Sequence, residues 1–475
     1  MTELVRAPQR WLERHTILWQ RWLIVVLALL LAASIAYVAS PANTMVVLMA
    51  LIGLVAGLVG VQIFLRWPAL GLVLLIPANM VVPFMVGTGS QTGIHATLLL
   101  LALLGALWLY DIFQNERELR LVSSRPIPPL LVLLIVSGVS FFVGQLPWFQ
   151  THAAPVTAQL GGLGVILFSA MAFLLAAHQF KELRWIEYFT WTFLAFGGVF
   201  LVFRVVPGLF RYSGYVFTWG ATSSQFWNWL LAIAFGQLLF NKKLRTRWRA
   251  ALVVLLAAAV YAAFIQTYEW RSGWLPPLIA IVVIAALYDW RLAALVVVAG
   301  LLITPGLLQQ LIVTDEYSYS TRVDAWIILL EIIRVNPILG LGPANYYYYT
   351  PLYEIRGYNV RFNSHNQYLD IVAQIGLVGL MVLVWFFVSV ARVAWELRDR
   401  VPDGFARAYV YATLGGLVGT VVSGMLGDWF LPFVYNVGVV GMRSSVLGWL
   451  FMGGLIAIEQ MVQQGQLTAA EEQPV

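Results

Sequence analysis

The sequence lacks cysteine and contains very little charge. Without cysteine it cannot have disulfides, thiolate nucleophiles, iron–sulfur clusters or cysteine zinc sites. Only 11% of its 475 residues are charged, whereas soluble domains carry about 25% charged residues. With 61% hydrophobic residues and a mean hydropathy of +0.83, a water-soluble fold is nearly excluded.

Long apolar runs recur along the whole chain. Each has about 20 residues, which is typical of a helix that spans a membrane. The runs are continuous, whereas the strands of a membrane β-barrel alternate over about 10 residues. We therefore predict an all-α polytopic membrane protein, one transmembrane domain over residues 1–475 with about 14 helices. The predicted spans are 22–40, 44–64, 68–86, 95–113, 129–147, 158–178, 186–206, 222–240, 250–268, 273–289, 292–312, 366–391, 408–427 and 434–459. The first run is long for a signal-peptide core, and we expect it to remain as a helix.

Lysine and arginine are distributed unevenly between the connections. If the N-terminus is cytoplasmic, the inner connections hold 20 of the 28 basic residues. Basic residues mark cytoplasmic loops, so both termini are predicted inside and the long polar stretch 313–365 outside. The net charge of +6 therefore reflects membrane topology and gives no indication of nucleic-acid binding.

The basic residues predicted outside are all arginines. The planar guanidinium binds phosphate in bidentate fashion. A single outer arginine can simply extend its head group to the interface. Several around one loop favour a site for an anion. They are Arg204, Arg211, Arg271, Arg322, Arg334, Arg356, Arg361 and Arg443.

The polar stretch opens with a predicted short helix. Thr321 is similar to a helix N-cap, and apolar residues such as Val323 and Trp326 recur at helical spacing. The helix is predicted to lie at the outer interface and to end at Asn336 and Pro337. The aromatic run that follows, 346–349, is expected to anchor the interface, or alternatively to stack on sugar rings.

His365 lies where the polar stretch meets an apolar helix. The partial positive charge of a helix N-terminus disfavours imidazolium and keeps the ring neutral, as a general base requires. The alternative is a histidine that only caps the helix. The other four histidines are expected to be structural or at the surface, with no metal-binding HExxH motif.

Two segments resemble the O-antigen ligase and O-antigen polymerase superfamily of bacterial membrane glycosyltransferases. In one, His365-Asn366 is followed after nine residues by Gly376-Leu377-Val378-Gly379. In the other, Arg322 and Trp326 precede Asn336-Pro337-Ile338-Leu339-Gly340-Leu341-Gly342-Pro343. The resemblance centres on residues 320–380. A third segment, Trp270-Arg271-Ser272-Gly273, is similar to an outer arginine segment of the family, although Trp270 stands where the family has Ser or Thr.

The resemblance implies a GT-C-like glycosyltransferase of the cytoplasmic (inner) membrane. Its donor would be a glycan linked to undecaprenyl diphosphate, used without a metal, nucleotide or other cofactor. His365, Arg322 and Arg271 are then the candidate catalytic residues. Arg204, Arg211, Arg356, Arg361, Trp326 and Asn366 are candidates for substrate binding. The acceptor, a glycan, a lipid core or a protein, is left open. Glu269 and Glu354 are alternative bases outside the matching motifs.

A transport function is the alternative from another class. A lipid-linked oligosaccharide flippase or a solute transporter also has many spans and polar residues within them. Gln225, Asn228, Asp428 and Arg443 could line such a path, with Asp428 as the partner of Arg443. However, the sequence has no matched pair of broken helices in two halves, and the charged residues that could carry chemistry concentrate on one face, as expected for a one-sided enzyme.

Overall fold

The computed structural model describes residues 57, 59–87, 93–116, 120–267, 270–303 and 316–467. The chain divides into two compact units, Met1–Pro68 and Ala69–Val475. In the first unit, residues 59–66 are helical. The second unit contains the helix bundle and every candidate site residue.

The bundle is built of helices of very different length. They are α1 (Pro68–Met80), α2 (Ala96–Asp111), α3 (Ile127–Val143), α4 (Val156–Gln179), α5 (Leu183–Val205), α6 (Ser213–Val216), α7 (Ser224–Phe240), α8 (Thr246–Val260), α9 (Arg271–Tyr288), α10 (Trp290–Ile303), α11 (Glu316–Ile333), α12 (Tyr346–Tyr349), α13 (Gln367–Leu397), α14 (Phe405–Leu426) and α15 (Met442–Gln463). Two short strands, β1 (Met85–Gly87) and β2 (Gly93–His95), form an antiparallel pair that the sequence did not predict.

Within the described residues, eight helices are long and apolar enough to cross a membrane. They are Ala96–Gln114, Val156–Gln179, Leu183–Val205, Thr246–Ala263, Arg271–Tyr288, Gln367–Leu397, Phe405–Leu426 and Val439–Gln463. With α7 and the shorter apolar helices Pro68–Met80, Ile127–Val143 and Trp290–Leu302, they overlap the predicted spans from 68–86 onward. The span 68–86 is shorter than predicted, because its helix ends at Met80 and a strand follows, and 292–312 is described only to residue 303. These helices do not confirm the predicted number of about 14. The predicted span 22–40 lies outside the described residues, and 44–64 is described only in part. The all-α polytopic class is thus confirmed.

Small residues allow the helices to pack closely. Helix α7 packs against α9 and α14, α4 packs against α15, and α3 packs against α13. A Cβ atom at Gly453 would overlap the carbonyl oxygen of Phe173, and one at Gly236 would lie 2.6 Å from the Cβ of Ala412. Close approach of this kind is how helices associate in a membrane, where the hydrophobic effect does not drive them together.

One end of the bundle gathers connections that the sequence predicts on the inner side. Arg125 forms an ion pair with Glu396, and Lys242 forms one with Asp403 at 3.1 Å. Nearby, Gln460 Nε2 donates to the carbonyl oxygen of Ser123 at 3.2 Å. Three connections that are distant in the sequence therefore meet at a common polar end.

The predicted loop helix is longer than the sequence indicated. Helix α11 begins by Glu316, so Thr321 lies inside it and the predicted N-cap role is wrong. The helix ends at Ile333, as Asn336 and Pro337 predicted. Leu329 and Ile332 are fully buried in the core cluster that contains Val372 and Ala373 of α13.

The aromatic run lies inside the protein. Tyr346 and Tyr349 of α12 are at most 1% exposed. Tyr346 stacks on Phe433 at a ring distance of 4.8 Å, and Tyr347 stacks on Tyr435 at 4.6 Å. The predicted interfacial anchoring is therefore wrong for Tyr346 and Tyr349, because both rings are buried, Tyr346 against Phe433 and Tyr349 against Phe149.

Candidate active site

His365 has an unusual backbone and does not cap α13. Its φ of +50° lies in the left-handed region that residues other than glycine rarely adopt. The cap is the next residue, because Asn366 Oδ1 accepts the backbone N–H groups of Tyr368 at 3.0 Å and Leu369 at 3.4 Å. This removes the capping interpretation of His365. It also gives Asn366, a predicted substrate-binding residue, a structural role.

Ser364 holds the backbone just before His365. Its Oγ donates to Asp370 Oδ1 at 2.7 Å and accepts the N–H of Asn366 at 2.9 Å. Its carbonyl oxygen accepts a hydrogen bond from the indole Nε1 of Trp326 at 2.8 Å. Trp326, another predicted substrate-binding residue, thus ties α11 to the residue that precedes His365.

A buried carboxylate network lies beneath this turn. Asp370 is fully buried, and its Oδ1 also accepts from the hydroxyl of Tyr346 at 2.5 Å. Asp428 lies within electrostatic range of Asp370 and accepts the N–H of Phe433 at 2.7 Å. Burial raises the pKa of Asp428 above its ordinary value, and burial with the neighbouring Asp370 raises that of Tyr346 well above its own.

The sequence contained one indication of this network, which is the carboxylate of Asp370 at the start of an apolar helix. A carboxylate in the first turn of an apolar helix is costly unless it has partners, so Asp370 required hydrogen-bond donors. Which donors these were could not be read from the sequence, because Tyr346 and Ser364 reach Asp370 only through the fold of the 340–365 segment.

The three predicted catalytic residues come together. Arg322 on α11 and Arg271, the first residue of α9, are both half-buried. Burial and then the charge of Arg271 lower the pKa of Arg322. Burial and then the charge of Arg322 lower the pKa of His365. The predicted neutral imidazole is thus favoured, and its causes are burial and a neighbouring cation.

The two arginines repel each other and have no ion-pair partner among the residues that the structure describes. Two guanidinium groups within electrostatic range of each other favour an anion nearby, because its charge offsets that repulsion. The alternative base Glu269 lies outside the described residues, and Glu354 is exposed. In the described part of the chain, no three His, Asp or Glu side chains form a group that could hold a metal ion.

The four remaining predicted arginines have other contacts. Arg356 forms an ion pair with Asp324 at 2.7 Å and donates to Ser320 Oγ at 2.5 Å, which fastens the loop to α11. Arg361 lies 3.9 Å above the ring of Tyr348. Among the described contacts, the structure does not join these residues to the cluster of Arg271, Arg322 and His365. Arg204 and Arg211 lie against the rings of Phe210 and Tyr212 in the connection after α5.

Three glycines fix the relative position of α11 and α13. Gly340, Gly342 and Gly376 all have φ between +73° and +87°. The segment after α11 hydrogen-bonds along a kink in α13, with the N–H of Leu341 donating to the Ala373 carbonyl at 2.9 Å. In return, the N–H of Leu377 donates to the Pro337 carbonyl at 2.8 Å. The two glycine motifs therefore hold the helix of Arg322 against the helix that follows His365.

The polar residues assigned to the transport alternative have structural partners. Gln225 donates to Ser423 Oγ at 2.6 Å, and Asn228 donates to the Gly416 carbonyl at 2.8 Å. The predicted pairing of Arg443 with Asp428 is wrong. Arg443 donates to the carbonyl oxygens of Asn79, Val82 and Phe84, at 3.2, 2.9 and 2.9 Å, because these groups lie at or just after the end of α1 and need donors.

Histidines other than His365 also differ from it in setting. His95 is buried, with Nε2 3.2 Å from the Val439 carbonyl. His178 accepts the N–H of Val122 at 3.0 Å. His152 is exposed, and His15 lies outside the described residues. The positions of the three described histidines thus agree with the structural or surface roles that the sequence predicted.

Comparison with known families shows which proteins this region resembles. Residues 218–384 match the family model described as O-antigen ligase. This part of the chain is therefore similar to an O-antigen ligase domain. The matched region begins well before the predicted core segment 320–380 and includes Arg271, Arg322, Trp326, His365 and Asn366. The superfamily resemblance is thereby confirmed, and with the apolar helices it supports a membrane protein of polysaccharide biosynthesis. No curated protein matches the chain.

Proposed function

We propose that this O-antigen ligase-like protein transfers a glycan from an undecaprenyl-diphosphate donor to an acceptor hydroxyl. The observation that carries the proposal is the cluster of Arg271, Arg322 and His365 inside the matched family region. Family membership supports glycan transfer in general, and the cluster supplies the two chemical functions that transfer from a lipid diphosphate needs.

The first function is removal of a proton. The acceptor oxygen attacks the anomeric carbon of the donor and must lose its proton as the new bond forms. His365 is the proposed base, because burial and the adjacent Arg322 lower the pKa of its imidazole and keep it neutral. Although surrounding atoms desolvate the imidazole, His365 still exposes part of its surface, from which an acceptor could approach.

The second function is stabilisation of the leaving diphosphate. As the bond between the anomeric carbon and the phosphate oxygen breaks, negative charge grows on the diphosphate. Arg322 and Arg271 are proposed to bind it through their planar donor groups. This positive charge would replace the magnesium that nucleotide-sugar enzymes use, and the reaction would need no cofactor.

The proposed location is the outer face of the cytoplasmic (inner) membrane, with both termini on the cytoplasmic side. Two observations support it. Most basic residues fall in connections predicted inside, and residues such as Arg125 and Lys242 from these connections meet at a common end of the bundle. The proposed acceptor is a growing glycan, a lipid core or a protein.

Transport is less well supported. A lipid flippase or solute transporter would need polar groups available along a path through the bundle. Instead, Gln225 and Asn228 are bonded to α14, and Arg443 is bonded to carbonyl groups that follow α1. These contacts explain the polar residues as links between elements.

Turnover by the pure protein tests the proposal. A polyprenyl-diphosphate glycan and an acceptor glycan would be mixed with the chain in detergent, and the released polyprenyl diphosphate would be measured. Transfer should proceed without a second compartment, which transport requires. No release with any acceptor class would contradict the proposal. In cells, loss of attachment with intact polymer would indicate a ligase, and loss of polymer a polymerase.

A further inference from the structure

A dense group of basic residues lies in a connection that the sequence predicts on the inner side. Lys242, Lys243, Arg245, Arg247 and Arg249 fall within eight residues between α7 and the first turn of α8. Lys242 pairs with Asp403, Arg249 donates to the Lys242 carbonyl at 3.2 Å, and Arg247 lies over the ring of Trp248. Lys243 and Arg245 are exposed, and neither has an ion pair among the described residues.

Lys243 and Arg245 line one end of an apolar groove between α5 and α8. The groove has a volume of about 1140 Å³, and its walls include Leu194, Val199 and Leu255. Along α5 it extends from Glu187 to Val206, a length of about 30 Å at 1.5 Å per residue. That length is close to the thickness of the hydrocarbon core of a bilayer.

The basic end of the groove also contains an unsatisfied acceptor. Asn241 is 5% exposed, and its Nδ2 donates to Gln237. Its Oδ1 has no hydrogen-bond partner among the described residues. The end thus offers two cations for a phosphate and a buried acceptor for a donor group. Glu187 adds a second acceptor, and Asp403, which is in electrostatic range of Lys243, is already bonded to Lys242 and Arg407.

We propose that this groove binds an anionic glycerophospholipid of the phosphatidylglycerol type. Its phosphate would lie on Lys243 and Arg245, and its glycerol hydroxyls would donate to Asn241 Oδ1 and Glu187. Its acyl chains would lie along the apolar walls of α5 and α8. Charge complementarity favours this occupant, since basic residues next to a membrane helix attract anionic lipid heads. A free phosphate would leave the apolar walls without a partner.

Lipid binding to the delipidated full-length protein tests the site. Native mass spectrometry would compare dioleoyl phosphatidylglycerol with dioleoyl phosphatidylcholine, whose head group has no net charge. We expect phosphatidylglycerol to bind at least about tenfold more tightly. The double variant Lys243→Gln with Arg245→Gln should lose about 30-fold in affinity, because each cation near an anionic head contributes about fivefold.

Matched variants separate the site from general attraction of charge. Arg392→Gln with Arg400→Gln removes the same charge from exposed positions that do not line the groove and should leave affinity unchanged. Ala251→Trp on α8 should fill the groove and abolish binding, with Ala195→Trp on α5 as a second filling variant. Melting temperatures without added lipid identify variants that fail to fold.

Four results would overturn the proposal. They are equal binding of the two lipids, unchanged affinity in the Lys243 and Arg245 variant, retained binding in both filled variants, and tighter binding of a polyprenyl phosphate at the same residues. Binding is the only readout, so the result does not depend on the proposed glycan transfer.

Discussion

The indole nitrogen of Trp326 donates a hydrogen bond to the carbonyl oxygen of Ser364 over 2.8 Å. This contact joins the helix that carries Arg322 to the residue that precedes His365. Because His365 has a left-handed backbone conformation, it depends on neighbours that fix both sides of it. Ser364 fixes one side and the helix cap at Asn366 fixes the other. The position of the imidazole relative to Arg322 is therefore built into the fold.

Replacement of His365 should stop transfer without unfolding the protein. His365→Ala is expected to reduce single-turnover transfer by about 100- to 10,000-fold, the usual contribution of a general base. His365→Gln should fail as well, because an amide cannot accept the proton. The measurement is transfer by the purified variants, with the melting temperature recorded alongside.

Asn366→Ala is the matched control for His365. It removes the cap of α13 and should lower the free energy of unfolding by about 1 kcal/mol, whereas His365→Gln should leave stability near that of the wild type. Near-full activity of His365→Gln would exclude the base role and leave His365 with a structural or positioning role.

The two arginines should not tolerate lysine. Arg271→Lys and Arg322→Lys keep the charge but lose the planar pair of donors that fits a diphosphate. Loss of one charge-assisted hydrogen bond corresponds to about 10- to 100-fold in turnover. Arg334→Lys is the control, because Arg334 directly follows α11, is exposed and pairs with Glu331. Wild-type turnover in both site variants would mean that these arginines only anchor the interface.

The sequence predicted the helices and the site to different extents. Apolar runs are enough to locate apolar helices, so helices were found at the predicted spans from 68–86 onward, and eight of them are long enough to cross a membrane. The start of α11 was not, because Thr321 carries the local features of an N-cap but lies inside a longer helix. Local features cannot exclude a helix that begins earlier and is stabilised by tertiary packing.

For the site too, the sequence predicted some features, and others depended on the tertiary structure. His365, Arg322 and Arg271 could be selected because charge in an apolar chain is rare and the motifs resemble a family. The roles of Trp326, Asn366 and Arg356 could not be predicted, because their partners Ser364, Tyr368 and Asp324 depend on the path of the loop. The indole of a tryptophan and the guanidinium of an arginine are both hydrogen-bond donors, and they can donate to a bound ligand as well as to a backbone carbonyl or a carboxylate.

The kink of α13 should be intolerant of a side chain. Gly376 has φ +73°, and a Cβ atom there would overlap the carbonyl oxygen of Ile338. Gly376→Ala should lower the free energy of unfolding by about 2 to 5 kcal/mol, from backbone strain and overpacking. Thermal unfolding in detergent measures this effect. Gly138→Ala on α3 is the control, since nothing lies within 4 Å of its Cβ position, and equal stability of the two variants would contradict the predicted clash.

The proposed orientation can be tested with introduced thiols, since the chain has no cysteine of its own. Asn359→Cys lies in the exposed loop after α12, and Gln464→Cys directly follows α15. On intact cells with a permeable outer barrier, an impermeant thiol reagent should label Asn359→Cys only. Lysed cells, in which both should react, provide the control. Labelling of Gln464→Cys alone on intact cells would reverse the orientation and exclude an outer active site.

The pH dependence of transfer should report the coupling between Arg322 and His365. Burial and the charge of Arg322 lower the pKa of His365 below its ordinary value of 6.5. A base works in its deprotonated form, so activity should persist as the pH falls below 6.5 and be lost through the lowered pKa. Arg322→Gln removes the neighbouring charge, which should raise that pKa and move the acid limb of kcat/KM to higher pH. Arg334→Gln, which removes an exposed charge directly after the same helix, should leave the limb in place. An acid limb that stays fixed in Arg322→Gln would show that the group that titrates is not His365 under the influence of Arg322.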